Sequence, residues 1–115
     1  MIGSTRAVHV FAYTAPADMR RGFDGLSALV TQGLKRDPLS GDVYLFVSRN
    51  RQRAKALLWD GTGLCLYAKR LERGRFIWPS PAEGAVTITP AQLGYLLEGI
   101  DWRMPQQTWR PTAAG

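Results

Sequence analysis

Apolar residues recur along this chain with two periods, and the period separates two kinds of element. Val8 to Tyr13 (VHVFAY) is short, β-branched and aromatic, and reads as a strand. Behind it, Met19, Phe23, Leu26, Leu29, Val30 and Leu34 fall mostly three or four positions apart, which predicts one long amphipathic helix. Pro16 suits its first turn, and Asp18 near that end complements the macrodipole. Gly22 and Gly25 oppose the helix, at roughly 1 kcal/mol each relative to alanine, unless a close packing contact requires them. KRDPLSGD, 35–42, is a turn punctuated by Pro38 and Gly41.

Three β-like runs follow: VYLFVS (43–48), AKALLW (54–59) and LCLYAK (64–69). DGTG between the last two is a hairpin signal. RFIW (75–78) predicts a fourth run, broken by Pro79 and Pro81, and VTI (86–88) a further short strand. Thr89-Pro90-Ala91-Gln92 places a hydroxyl at the N-cap, proline at the first helical position and Gln two residues on, a capping box. Leu93, Leu96, Leu97 and Ile100 form one apolar face, and Gly99 is a stop. The expected fold is α+β: an antiparallel β-meander with one long and one short helix packed against the sheet. Residues 1–101 are expected to form a single compact domain, and 102–115 a loose tail with Trp102 and Trp109 as candidate anchors.

Charge sharpens this picture. The net charge is +6. Arg49, Arg51, Arg53 and Lys55 crowd RNRQRAK with no acid among them. Lys69, Arg70, Arg73 and Arg75 stand against Glu72 alone in KRLERGR. The two stretches carry +4 and +3, so the rest of the chain sums to −1. An up-down meander over 43–78 puts its first and third connections at one end of the sheet, which brings both stretches together. A localised basic edge is the footprint of a polyanion site. The competing reading is a pair of solvated turns that keep the sheet soluble and guard an edge. Phe46, Trp59, Tyr67, Phe76 and Trp78 lie near these charges and either stack bases or fill the core. Asn50 is the residue of the basic turn suited to an adenine edge.

Other chemistries find little support. With 115 residues and 45% hydrophobic content the chain is sized for one globular domain. No apolar run reaches the roughly 20 residues of a membrane span, and the first residues lack a signal-peptide pattern. Cys65, the single cysteine, reads as a small buried hydrophobe; with no internal disulfide available, a reducing cytoplasm is expected. Zinc and Ser/His or Cys/His catalysis need clusters that one histidine, His9, and one cysteine do not supply. Asp37, Asp42 and Asp60 sit beside Pro or Gly and read as turn residues. A magnesium nuclease would have to draw on Asp18, Asp24 or Asp60, which share no ligand motif.

Five stretches in order, DMRRGFDGL (18–26), DPLSG (37–41), RNRQRAKALLWDGTG (49–63), KRLERGRFIWP (69–79) and QLGYLLEGID (92–101), carry a resemblance. The chain resembles the TnpB accessory proteins of the insertion sequence 66 family of bacterial transposable elements, distinct from the RNA-guided nuclease that shares the name. Leu39 and Ala56 depart mildly from the family pattern. The resemblance implies a small protein encoded beside a separate transposase and needed for efficient transposition, with no catalytic residues to carry over and no cofactor. The expectation is therefore a non-enzymatic, cytoplasmic accessory factor. It contacts DNA phosphates through Arg49, Asn50, Arg51, Arg53, Lys55, Lys69, Arg70, Arg73 and Arg75; the alternative is an adaptor that docks the transposase or another protein of the element. An exposed edge strand also offers a route to a homo-oligomer.

Overall fold

The computed structural model describes residues 7–80 and 86–103. Pro81, Pro105, Trp109 and Pro111 lie outside them. Among the described residues five strands and two helices follow one another: β1 (Val10–Ala12), α1 (Phe23–Gly33), β2 (Val43–Val47), β3 (Arg53–Trp59), β4 (Leu64–Arg70), β5 (Val86–Ile88) and α2 (Pro90–Leu97). They form one sheet in the order β4-β3-β2-β1-β5.

The α+β class holds, but the sheet is mixed rather than an antiparallel meander. β2, β3 and β4 pair antiparallel through tight connections, as expected. β1 runs parallel to β2, with Val10 opposite Val43, because α1 lies between them in sequence and carries the chain back across the sheet. β5 returns antiparallel to β1.

Both helices are short. The apolar stripe that begins at Met19 continues into α1, but residues 13–20 extend β1's path instead: Tyr13 donates its N–H to the Leu45 carbonyl and Ala17 to that of Val47, at 2.9 and 2.8 Å. Asp18 then accepts from the Arg20 N–H in a tight turn, so the helix starts at Phe23. Gly22 is its N-cap and has open space around its missing Cβ, whereas a Cβ on Gly25 would meet the Arg21 side chain at 3.0 Å. α2 has the capping box in full: Gln92 N–H donates to Thr89 Oγ1 at 3.1 Å and Thr89 N–H to Gln92 Oε1 at 2.8 Å. It closes on Gly99 at φ +75°, with Ile100 N–H reaching the Tyr95 carbonyl.

The helices cover opposite faces, since strand side chains alternate. Tyr44, Phe46 and Leu57 point to α1 and its Leu26 and Val30. Leu45, Val47 and Ala54 point the other way, to Leu96 of α2. The second face takes the aromatics expected in a fourth meander strand. Residues 75–78 are not a strand: after Gly74, at φ +75°, the chain turns beneath the sheet instead of pairing beside β4. Phe76 and Trp78 are buried there with Trp102. Trp78 Nε1 donates to the Tyr13 carbonyl at 2.8 Å, and Trp102 Nε1 to that of Ile77 at 2.6 Å.

Candidate functional site

The chain leaves β2 at Val47 and enters β3 at Arg53 through a turn that its own side chains hold. Ser48 Oγ accepts from the Arg53 N–H at 3.1 Å and donates to Asn50 Oδ1 at 2.8 Å; the same Oδ1 accepts from the Gln52 N–H at 3.1 Å. Asn50 Nδ2 reaches Gln52 Oε1 at 3.3 Å. The amide proposed for a base edge is thus engaged within its own turn. Arg51 occupies the left-handed region at φ +62°, and Arg49 and Arg53 on either side of it are exposed.

The second basic stretch meets the first. Arg53 pairs with Arg70 in the β3–β4 ladder. Leu71 N–H donates to the Gln52 carbonyl at 2.8 Å and Phe76 N–H to that of Arg51 at 2.7 Å. Both segments therefore share one end of the sheet even though 75–78 is no strand, because these bonds to the turn replace the fourth strand's ladder. Parallel pairing of β1 adds the segment 13–22 to the same end, and with it the N-terminus of α1, a further positive pole.

Two adjoining cavities lie on the α1 side of this end. One, of about 310 Å³, is lined by Met19, Arg53, Lys55, Ala68 and Arg70 among others. The other, of about 460 Å³, is lined by Ala17, Met19, Arg49, Asn50, Arg53 and Arg70 among others. Ala17 and Met19 form a wall that no charge pattern announces; Met19 belongs to the apolar stripe that predicts the helix, and Ala17 carries no such signal.

The basic residues are not equivalent. Lys55 Nζ donates to the carbonyls of Met19 and Arg21 at 2.8 and 2.9 Å, pinning the 18–22 loop to the sheet. Lys69, on the opposite face, pairs with Glu98 at 3.3 Å. Arg70 donates to Glu72 at 3.0 Å. Arg20 grips Asp18 through two nitrogens, and these hydrogen bonds hold the Asp18 carboxyl down at about 2. Arg21 reaches the Gly25 carbonyl at 3.1 Å. Among the described residues, the side chains of Arg49, Arg53, Arg73 and Arg75 are exposed and make no hydrogen bond or ion pair. Arg51 is half-buried and lines a separate cavity of about 440 Å³ with Trp78, Trp102 and Arg103.

Phe46, Phe76 and Trp78 are core residues, Trp59 ends β3 at the opposite end, and Tyr67 is half exposed on β4. The carboxylates cap turns. Asp37 accepts from Leu39 N–H, Asp60 from Thr62 and Gly63 N–H, and buried Asp42 from His9 N–H and Ser40 Oγ. Asp60 lies at the opposite end of the sheet from Asp18 and Asp24, so the three do not make one site. Among the described residues no three His, Cys, Asp or Glu side chains gather as a metal group. Cys65 is not buried as expected but half-buried, donating its thiol to Asp60 Oδ2 at 3.4 Å. Among the described residues no helix is long and apolar enough to cross a membrane.

Residues 8–107 match the family of IS66 Orf2 like proteins, a span that includes both basic stretches and every element of the fold. The chain belongs to this family, the small accessory proteins of an insertion sequence. It is 50% identical to the uncharacterized protein y4hO of Sinorhizobium fredii (strain NBRC 101917 / NGR234), over 100% of both chains. It is 40% identical to the uncharacterized protein y4jC of the same strain, over 89% of this chain and 87% of the relative. No solved structure matches.

Proposed function

We propose that this IS66 Orf2-like protein serves transposition in the cytoplasm as a non-catalytic factor that contacts DNA phosphates through the basic end of its sheet. The observation that carries the reading is the convergence of the 48–53 turn and the 70–75 segment, which presents Arg49, Arg53, Arg73 and Arg75 with no acidic partner among the described residues. Such guanidiniums exchange condensed counterions for phosphate contacts, and they position a protein on DNA without reading its sequence. Lys55 and Asn50 hold the loops that present them.

Fluorescence anisotropy of a labelled duplex at about 50 and 200 mM salt tests the proposal. Wild type is expected to bind and to weaken steeply with salt. Arg49→Ala with Arg53→Ala and Arg73→Ala removes side chains that bond nothing among the described residues, and is expected to lower both affinity and salt slope. No binding by the wild type at low salt overturns direct DNA contact. Capture of the element's transposase with no DNA present would then assign the basic end to an acidic protein surface.

A further inference from the structure

β4 closes one side of the sheet, and among the described residues no strand pairs with its outer edge. Every residue of β3 from Arg53 to Trp59 has a partner in β4 from Arg70 to Leu64, so the strand is regular and free of bulges. Leu71 donates its N–H across to Gln52, which places the backbone groups of odd-numbered positions on the β3 side. Alternation turns those of Leu64, Leu66, Ala68 and Arg70 outward, and among the described residues nothing bonds them.

Natural sheets blunt such edges with short strands, charges, prolines or bulges. β5, at the other side, is three residues long. β4 is seven residues long, contains no proline and carries no charge from Leu64 to Ala68. Tyr67 in its middle is 50% exposed.

We infer that β4 pairs antiparallel with β4 of a second copy of this chain, across a two-fold axis at Tyr67. Parity sets the register. Outward-facing residues must form the hydrogen-bonded pairs, so Leu66 meets the partner's Ala68 and Leu64 the partner's Arg70. Tyr67 meets its own equivalent and Cys65 the partner's Lys69 in the closer, non-hydrogen-bonded pairs. An axis at Tyr67 engages the whole strand, and no pair in it opposes like charges. A strand without charge along its centre and apolar on both faces is complementary to itself, which is why the occupant is a second copy. The joined sheet carries two basic ends pointing in opposite directions. The inference does not depend on what those ends bind.

Sedimentation equilibrium of the full chain is expected to show a reversible dimer. Ala68→Pro removes one outward N–H and no bond to β3. It is expected to give a monomer with the wild-type circular dichroism and melting temperature. The register is tested separately by Tyr67→Cys in a Cys65→Ser background. Cα atoms about 4.5 Å apart in a non-hydrogen-bonded pair suit a disulfide, so mild oxidation should yield a covalent dimer, while Thr62→Cys in the same background should not. A wild type that stays monomeric at about 0.5 mM overturns the inference. So does a dimer that forms no Tyr67→Cys cross-link, since it must use another surface.

Discussion

The ammonium of Lys55 lies between two carbonyls of the 18–22 loop, beside Phe46 across the β2–β3 register. In the sequence it is one of four equal charges; in the fold it is a staple. Lys55→Met should destabilise the protein by about 2–3 kcal/mol, because two charge-assisted bonds go and two carbonyls lose their donor; urea unfolding measures this. If Lys55 touches no phosphate, the residual DNA binding keeps the wild-type salt slope, whereas Arg53→Ala lowers it by about 0.9.

Cys65 is a second such case. The Asp60 carboxylate beside it disfavours the thiolate and raises the thiol's pKa. Asp60→Asn should speed alkylation of Cys65 by iodoacetamide at pH 8, and an unchanged rate would separate the two groups. The N–H groups of Thr62 and Gly63 hold the Asp60 carboxyl at about 2, as Arg20 holds Asp18, against an ordinary 3.8. Both pKa values are depressed in the fold, so their stabilisation is fully present above about 3.8 and lost as pH falls towards 2. The urea midpoint should drop over that window, and by less in Asp18→Asn.

At the scale of elements, the two helices differ in how plainly the chain marks them. α2 is announced by Thr89, Pro90 and Gln92 and ends on Gly99, all within one short segment, and each signal is used. α1 has the stronger apolar stripe, yet the helix starts at Phe23 and not at the head of the stripe. Met19 keeps helical spacing while the backbone of 13–17 bonds to β2, a contact about thirty residues away in sequence that periodicity does not register. Gly33 exposes the same limit. A Cβ there would stand 2.7 Å from Tyr13 Cε1. Gly33→Ala gains up to about 1 kcal/mol of helix propensity, but the packed ring must move, which costs about 1–3 kcal/mol. The expected outcome is net loss in thermal unfolding, with recovery when Tyr13→Leu is added.

For the molecule as a whole, the sheet has two unlike ends. The turn carboxylates Asp37, Asp42 and Asp60 lie at one, and the arginines of both basic stretches at the other. A duplex bound at the arginine end should show a log-log salt slope that falls by about 0.9 for each of Arg49, Arg53 and Arg73 replaced by alanine, in roughly equal steps. Anisotropy titrations of the single and combined variants measure those steps, and a slope that ignores all three would place the phosphates elsewhere. The meeting of the two basic stretches was readable beforehand, because β2, β3 and β4 are joined by short hairpin connections whose strands pair with their sequence neighbours.

By itself the sequence determined what local chemistry controls: the three hairpin strands, the capped helix α2, the turn roles of Asp37 and Asp60, and two stretches of concentrated charge. The tertiary structure alone decided that β1 joins the sheet parallel to β2, that Phe76 and Trp78 fill the core instead of extending the sheet, and that among the described residues β4 is an edge. It also sorted the basic side chains into those bound to the fold and those facing solvent. Each of these depends on pairing between residues far apart in the chain, and neither periodicity nor composition carries information about which distant partner a backbone group or an ammonium will find.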